Sequence, residues 1–368
     1  MLIKFAVTNF RGFPSKIEWD LAHPNSYEFN SYAIRNGIVK NGIIYGPNGS
    51  GKTNFGLAIF DIENHLTQKW KKTDYYSNFV YAGNPAALVV FEYTFKMDLT
   101  TIEYTYSKNA QGILLQETLR MDNKQIFSRN ENAFDMDSSE FPMDDSVKKR
   151  FVESTNNVSI INYLLTSFPL SENHYLIRMQ KFVDSMLWFR NLDVREFIGL
   201  ETAASYIDEF IISNSLLEDF SEFLQTVSGQ VFNFVASKIN NQNLLFCKLE
   251  NAIIPFNTIA STGTQSLMLL YYWIKKIDGR ASFVFIDEFD AFYHFMLSFE
   301  VCKRLFALDC QVFTSSHNTY LMTNDLLRPD CNFILNHNQI KPLCECTEKE
   351  LRFGHNIEKL FRGNAFQI

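Results

Sequence analysis

The octet Gly46-Pro47-Asn48-Gly49-Ser50-Gly51-Lys52-Thr53 constrains this 368-residue chain more than any other segment. It satisfies G-x-x-x-x-G-K-[ST] at every position. Ahead of it, Gly42-Ile43-Ile44-Tyr45 is a short apolar strand; behind it, Phe55, Ile59, Ile62 and Leu66 recur at the spacing of one helix face. A strand, a glycine-containing loop and a helix in that order let consecutive backbone N–H groups point into one anion-sized nest, to which the helix N-terminus adds its positive end. Such a loop cradles nucleotide phosphates. Lys52 then reaches the β- and γ-phosphates, Thr53 offers its hydroxyl to Mg²⁺, and the run from Gly46 to Asn54 forms the binding segment.

Three further segments follow in a telling order. Phe283-Val284-Phe285-Ile286-Asp287-Glu288 is an apolar strand ending in two acids. In that arrangement the first carboxylate, Asp287, holds Mg²⁺ through water, and the second, Glu288, acts as general base on the attacking water. The acids lie about 235 residues beyond the phosphate loop, which disfavours compact GTPases and kinases. Ser261-Thr262-Gly263-Thr264-Gln265 precedes the apolar helical run from Leu267 to Ile274. On its own it is an ordinary helix cap; between the other two motifs, Ser261 and Gly263 read as a phosphate grip acting across a dimer. Thr314-Ser315-Ser316-His317-Asn318 closes another apolar strand. If that strand runs parallel beside the one ending at Asp287, His317 reaches the γ-phosphate as a third catalytic residue with Lys52 and Glu288.

Organisation and composition fit one large domain or two modest ones, since 46% of residues are hydrophobic and 20% charged. The formal net charge of -7 argues against coating nucleic acid through bulk positive charge but leaves DNA binding through a local basic patch open. The opening Met-Leu-Ile-Lys-Phe-Ala-Val lacks a signal-peptide core, and no apolar run approaches about 18 residues, so a cytoplasmic protein with no membrane span is expected. The six cysteines are scattered and read as free thiols. Strands are expected at Leu2–Val7 and Lys16–Leu21, and an antiparallel sheet from Leu88–Phe95 and Ile102–Tyr106. From about Val147 to Phe234 the pattern turns helical, with Ile177–Phe189 and Tyr206–Leu224 as clear stretches, too short for a long coiled coil. The expected fold is α/β, a phosphate-loop head with a mixed sheet, an antiparallel β-subdomain and a helical insertion. Its divisions are 1–129 for the N-terminal lobe with the phosphate loop, 130–235 for the insertion, and 236–368 for the C-terminal lobe with the remaining motifs.

Taken together these segments resemble the ABC-ATPase superfamily, on the branch that includes RecF, SMC heads and OLD-like proteins, and within it the AbiL-like and PARIS-type phage-defence AAA ATPases. The resemblance begins with Asn9-Phe10-Arg11-Gly12-Phe13, similar to the opening turn of that branch, where the basic residue, here Arg11, lies near nucleotide. Ala260-Ser261-Thr262-Gly263-Thr264 departs from the usual LSGGQ signature and is similar to the S-x-G-T form of the defence group; Ala291-Phe292-Tyr293-His294 takes the D-loop position. No glutamine stands out for the Q-loop. The resemblance implies an ABC-type head in a homodimer that sandwiches ATP with Mg²⁺ and hydrolyses it to ADP and phosphate. It also implies a regulatory subunit controlling a separately encoded nuclease or toxin. A RecF-like DNA-repair or DNA-end-binding ATPase is the alternative, and a scaffold that binds ATP without turnover is a third.

Overall fold

A computed structural model describes residues 1–67, 69, 75–153, 158–190, 196–201, 206–240 and 242–367. Part of the expected helical insertion therefore lies outside the described residues. The N-terminal sheet is antiparallel and has seven strands in the order β10-β9-β8-β7-β6-β1-β2. These are β1 (Leu2–Thr8), β2 (Ile17–Asp20), β6 (Val89–Met97), β7 (Thr100–Lys108), β8 (Leu114–Met121), β9 (Lys124–Arg129) and β10 (Phe134–Met136). Alternation explains its buried face: along β6, Val89, Phe91, Tyr93, Phe95 and Met97 are buried and their neighbours are partly exposed, the period-2 signature of a strand with one covered side. The opening strand pair and the antiparallel sheet expected from the sequence are both present.

That face packs on α1 (Lys52–Ile59) and α2 (Asp61–Leu66). Phe55 is wedged among the rings of Phe5, Phe13 and Trp19, and the Tyr93 hydroxyl donates to the carbonyls of Ala58 and Ile59, each at 3.1 Å. Phe55, Ile59, Ile62 and Leu66 are all buried, as their spacing predicts. The helix they lie on is broken in two at Phe60.

The second large sheet also has seven strands, in the order β12-β11-β16-β17-β5-β18-β19. Its parallel members are β5 (Asn41–Tyr45), β11 (Met186–Arg190), β16 (Phe283–Asp287), β17 (Gln311–Ser316) and β18 (Asn332–Asn336). The antiparallel edges are β12 (Phe197–Gly199) and β19 (Gln339–Pro342). Strands β5, β16 and β17 are buried at every position, as parallel strands covered on both faces must be. A three-stranded antiparallel sheet, β13 (Phe234–Ile239), β14 (Gln242–Lys248) and β15 (Ile253–Pro255), and the short pair β3 (Ile34–Arg35) and β4 (Ile38–Val39) complete the strands among the described residues.

Helices α3 (Asp145–Glu153), α4 (Ile160–Ser167), α5 (Tyr175–Asp184), α6 (Ile207–Ser213) and α7 (Leu217–Ser228) occupy the expected helical stretch. After them come α8 (Phe256–Ile259), α9 (Thr262–Ile277), α10 (Phe295–Phe306) and α11 (Ile357–Arg362). One correction falls here. The stretch Ile177–Phe189, read as helix, leaves the helix at Asp184, and Met186-Leu187-Trp188-Phe189-Arg190 forms β11 beside β16 in the central sheet. Met186 to Phe189 are all buried, and a short, fully buried apolar run has no periodicity to separate strand from helix.

Candidate functional site

Parallel register brings the motifs to one edge. Arg190 pairs with Asp287 at the ends of β11 and β16, Ile286 with Thr314 across β16 and β17, and Ser316 with Tyr45 across β17 and β5. The chain leaves β5 into the phosphate loop, β16 into Glu288 and β17 into His317, so all three exits lie at the carboxyl edge, where open α/β sheets bind ligands. The parallel-neighbour condition set for His317 is met.

The loop itself is built tightly. A side chain at Gly46 would place its Cβ 2.4 Å from the Leu335 carbonyl oxygen and 2.6 Å from Ser50 Oγ. At Gly51, which caps α1 with φ near +98°, a Cβ would lie 2.9 Å from the Phe13 ring. Larger residues at either position would push the backbone out of its nest. Ser50 Oγ is buried without a hydrogen-bond partner inside the turn, an orphaned polar atom of the sort an incoming phosphate satisfies. Lys52 lies folded over the loop, donating to the carbonyls of Gly46 at 2.9 Å and Pro47 at 3.2 Å, with Nζ 3.5 Å from His317 Nδ1. Burial lowers the Lys52 pKa, and the charges of Asp287 and Glu288 oppose that shift. Burial and then the Lys52 charge lower the pKa of His317, favouring the neutral ring with an acceptor nitrogen.

The hydroxyl of Thr53 donates to Asp287 Oδ2 at 2.8 Å, and Asp287 is fully buried. A hydroxyl and a carboxylate side by side are the hard oxygen ligands Mg²⁺ takes, together with phosphate oxygens and water, so the donor set fits that ion. Glu288 follows with φ near +50°, a conformation rare for a non-glycine residue that turns the chain sharply out of the strand.

Arg11 stands at the margin, its guanidinium 3.5 Å from Asn54 Oδ1 and over the rings of Phe10 and Tyr75. Ser261 and Gly263 are placed differently. Ser261 caps α9, accepting from the Thr264 amide, and Thr264 is tied to Gln230. A Cβ at Gly263 would meet the Phe292 carbonyl at 3.1 Å. No hydrogen bond among the described residues joins either to the phosphate loop of the same chain.

Two further residues belong to the site and escape sequence reasoning. Ser315 donates to Asp287 Oδ1 at 2.7 Å and accepts from the Glu288 amide at 2.7 Å, so one hydroxyl fixes both acids. The run of hydroxyls in Thr314-Ser315-Ser316 on an otherwise apolar strand is the signal that could have found it. Arg190 donates through Nε to Asp287 Oδ2 at 3.2 Å and through Nη2 to Thr53 Oγ1 at 3.3 Å. The helical reading of its neighbours hid it.

The family model described as "AAA domain, putative AbiEii toxin, Type IV TA system" matches residues 43–323. No curated protein matches the chain. Among solved structures, an SMC head bound to the C-terminal winged-helix domain of ScpA is 14% identical with a TM-score of 0.47, covering 92% of this chain and 96% of that one. The SMC head domain from Thermotoga maritima is 14% identical with a TM-score of 0.44, covering 93% and 98%. An SMC head with an extended coiled coil, bound to a ScpA domain derived from Pyrococcus furiosus, is 12% identical with a TM-score of 0.43, covering 92% and 95%.

Proposed function

The chain belongs to the AAA-domain family matched over residues 43–323, and from that premise we propose that it is an ATP-hydrolysing regulatory subunit of a toxin-linked bacterial defence system. The observation that carries the hydrolytic part is the meeting of Lys52, Thr53, Asp287, Glu288 and His317 at one sheet edge. The family description supports the toxin-linked context; the regulatory part rests on the resemblance of the motifs to phage-defence ATPases. The effector would be a separately encoded nuclease or toxin, as in the AbiL-like and PARIS-type systems the sequence resembles.

The chemistry assigned to each residue follows from its position. Backbone amides of the loop and the Lys52 ammonium hold the β- and γ-phosphates, and Thr53 with Asp287 would hold Mg²⁺. When bound, that ion neutralises charge on the phosphate oxygens. Glu288 orients a water for in-line attack on the γ-phosphorus and takes its proton as the bond to the ADP oxygen breaks, giving ADP and phosphate. His317, neutral and with Nδ1 turned to the Lys52 ammonium, would donate through Nε2 to a γ-phosphate oxygen. Ser261 and Gly263 would complete the site from a second copy of the chain.

Nucleotide binding and phosphate release test this directly. Lys52→Ala should abolish binding of a fluorescent ATP analogue. Glu288→Gln should keep binding and slow phosphate release by about 10²- to 10⁴-fold, the range of a general base. Undiminished release in Glu288→Gln removes that residue from the role, and equal binding by Lys52→Ala removes the nucleotide site.

A further inference from the structure

Arg190 holds the oxygens that a divalent cation needs. Its Nε donates to Asp287 Oδ2 at 3.2 Å and its Nη2 to Thr53 Oγ1 at 3.3 Å, while Thr53 and Asp287 are themselves 2.8 Å apart. The guanidinium thus lies across the hydroxyl–carboxylate pair. It is held there from two sides, by Glu196 at 3.6 Å from Nη1 and by the Trp188 ring at 6.0 Å. The Asp287 side chain is fully buried, whereas that of Arg190 is 27% exposed. A buried carboxylate needs a countercharge, and Arg190 supplies one.

We propose that Arg190 is an internal competitor for the divalent cation of the nucleotide site: its guanidinium and the ion claim the same Asp287 and Thr53 oxygens, so each binds at the other's expense. This rests on the nucleotide-site reading above. Mg²⁺ bound at Thr53 Oγ1 and held to Asp287 Oδ2 through a water of its shell needs the lone pairs and the space that the guanidinium now takes, so loading the ion displaces the guanidinium toward Glu196, its other acidic partner among the described residues. Arg190 is partly exposed, so its guanidinium can be solvated when it leaves the carboxylate. The consequence is that Asp287 carries a positive partner in both states, and the ion concentration at which the site loads is raised by the arginine's own hold on it. Arg190 is in this sense a residue that sets the metal requirement, distinct from those that contact phosphate.

The test is a Mg²⁺ titration of the full chain with a fluorescent, non-hydrolysable ATP analogue, comparing wild type with Arg190→Gln, Arg190→Met and Arg190→Lys. Removal of the positive charge should lower the Mg²⁺ concentration at half-saturation by about three- to tenfold, the worth of a charge-assisted contact discounted for exposure. Arg190→Lys should stay near wild type. Thermal unfolding with MgCl₂ alone gives a readout free of nucleotide: Mg²⁺ should raise the midpoint of Arg190→Gln and Arg190→Met more than that of wild type. Half-saturation within twofold of wild type in both neutral variants, or shifted to higher Mg²⁺, overturns the proposal. Loss of analogue binding in every protein including wild type instead overturns the nucleotide site itself, which separates the two failures.

Discussion

Ser315 is one hydroxyl with two duties, and its loss separates binding from chemistry. Its proton goes to Asp287 Oδ1 and its lone pair receives the Glu288 amide, each at 2.7 Å, so Ser315→Ala takes these partners from a buried carboxylate oxygen and a partly buried N–H. Glu288 turns out of the strand at φ near +50°, and that amide contact is what holds the turn. Losing one such hydrogen bond costs about 1–2 kcal/mol, so phosphate release should fall by about tenfold. The affinity for ATP should change little, because no phosphate contact is removed. A steady-state measurement of kcat beside an equilibrium binding titration separates the two; an equal loss in both would place Ser315 in nucleotide binding. The sequence shows why this residue is hard to see. Lys52, Thr53 and Asp287 are legible because the roles proposed for them demand fixed residue types at fixed spacings, but a positioning hydroxyl is defined by a cross-strand neighbour, and the register of β16 with β17 appears only in the fold.

Among elements, the docking of α2 on the antiparallel sheet turns on a buried ion pair. Asp61 Oδ2 accepts from Lys108 Nζ at 2.7 Å and from the Tyr106 hydroxyl at 2.8 Å, and Oδ1 accepts from the Tyr75 hydroxyl at 3.0 Å. Both charged side chains are buried, and burial lowers the Lys108 pKa against the pull of Asp61. Lys108→Met strands the carboxylate and should cost about 3 kcal/mol in urea unfolding. Adding Asp61→Asn removes the unpaired charge and should restore about half of that or more; if the double variant is no more stable than the single one, the loss comes from packing. The elements differed in legibility for a physical reason. Strand β6 announces itself by alternation, because one of its faces is partly exposed. Strand β11 is covered on both faces, so Met186, Leu187, Trp188 and Phe189 carry no period, and Arg190 at its end was lost with it.

At the scale of the molecule, the disposition of α9 requires a second copy if Ser261 is to act. Ser261 and Thr262 are exposed at the start of α9, while Thr264 beneath them is buried and tied to Gln230. This helix start is therefore open to solvent, and among the described residues the Ser261 hydroxyl bonds only to Thr264 of its own helix. Two copies related by a two-fold axis would each present this end to the other's phosphate loop, since an isologous contact repeats itself. Each copy carries a formal charge of -7, so association works against repulsion and needs surface contacts that outweigh it. Complementation tests the shared site without a structure of the dimer. Lys52→Ala and Ser261→Arg should each be inactive alone, because every site in either homodimer lacks one component. Mixed in equal amounts, about half of the dimers combine the two chains, and each of these contains one site with an intact Lys52 and an intact Ser261. Phosphate release should then return to about a quarter of the wild-type rate, whereas a mixture no more active than its parents would mean that each chain completes its own site.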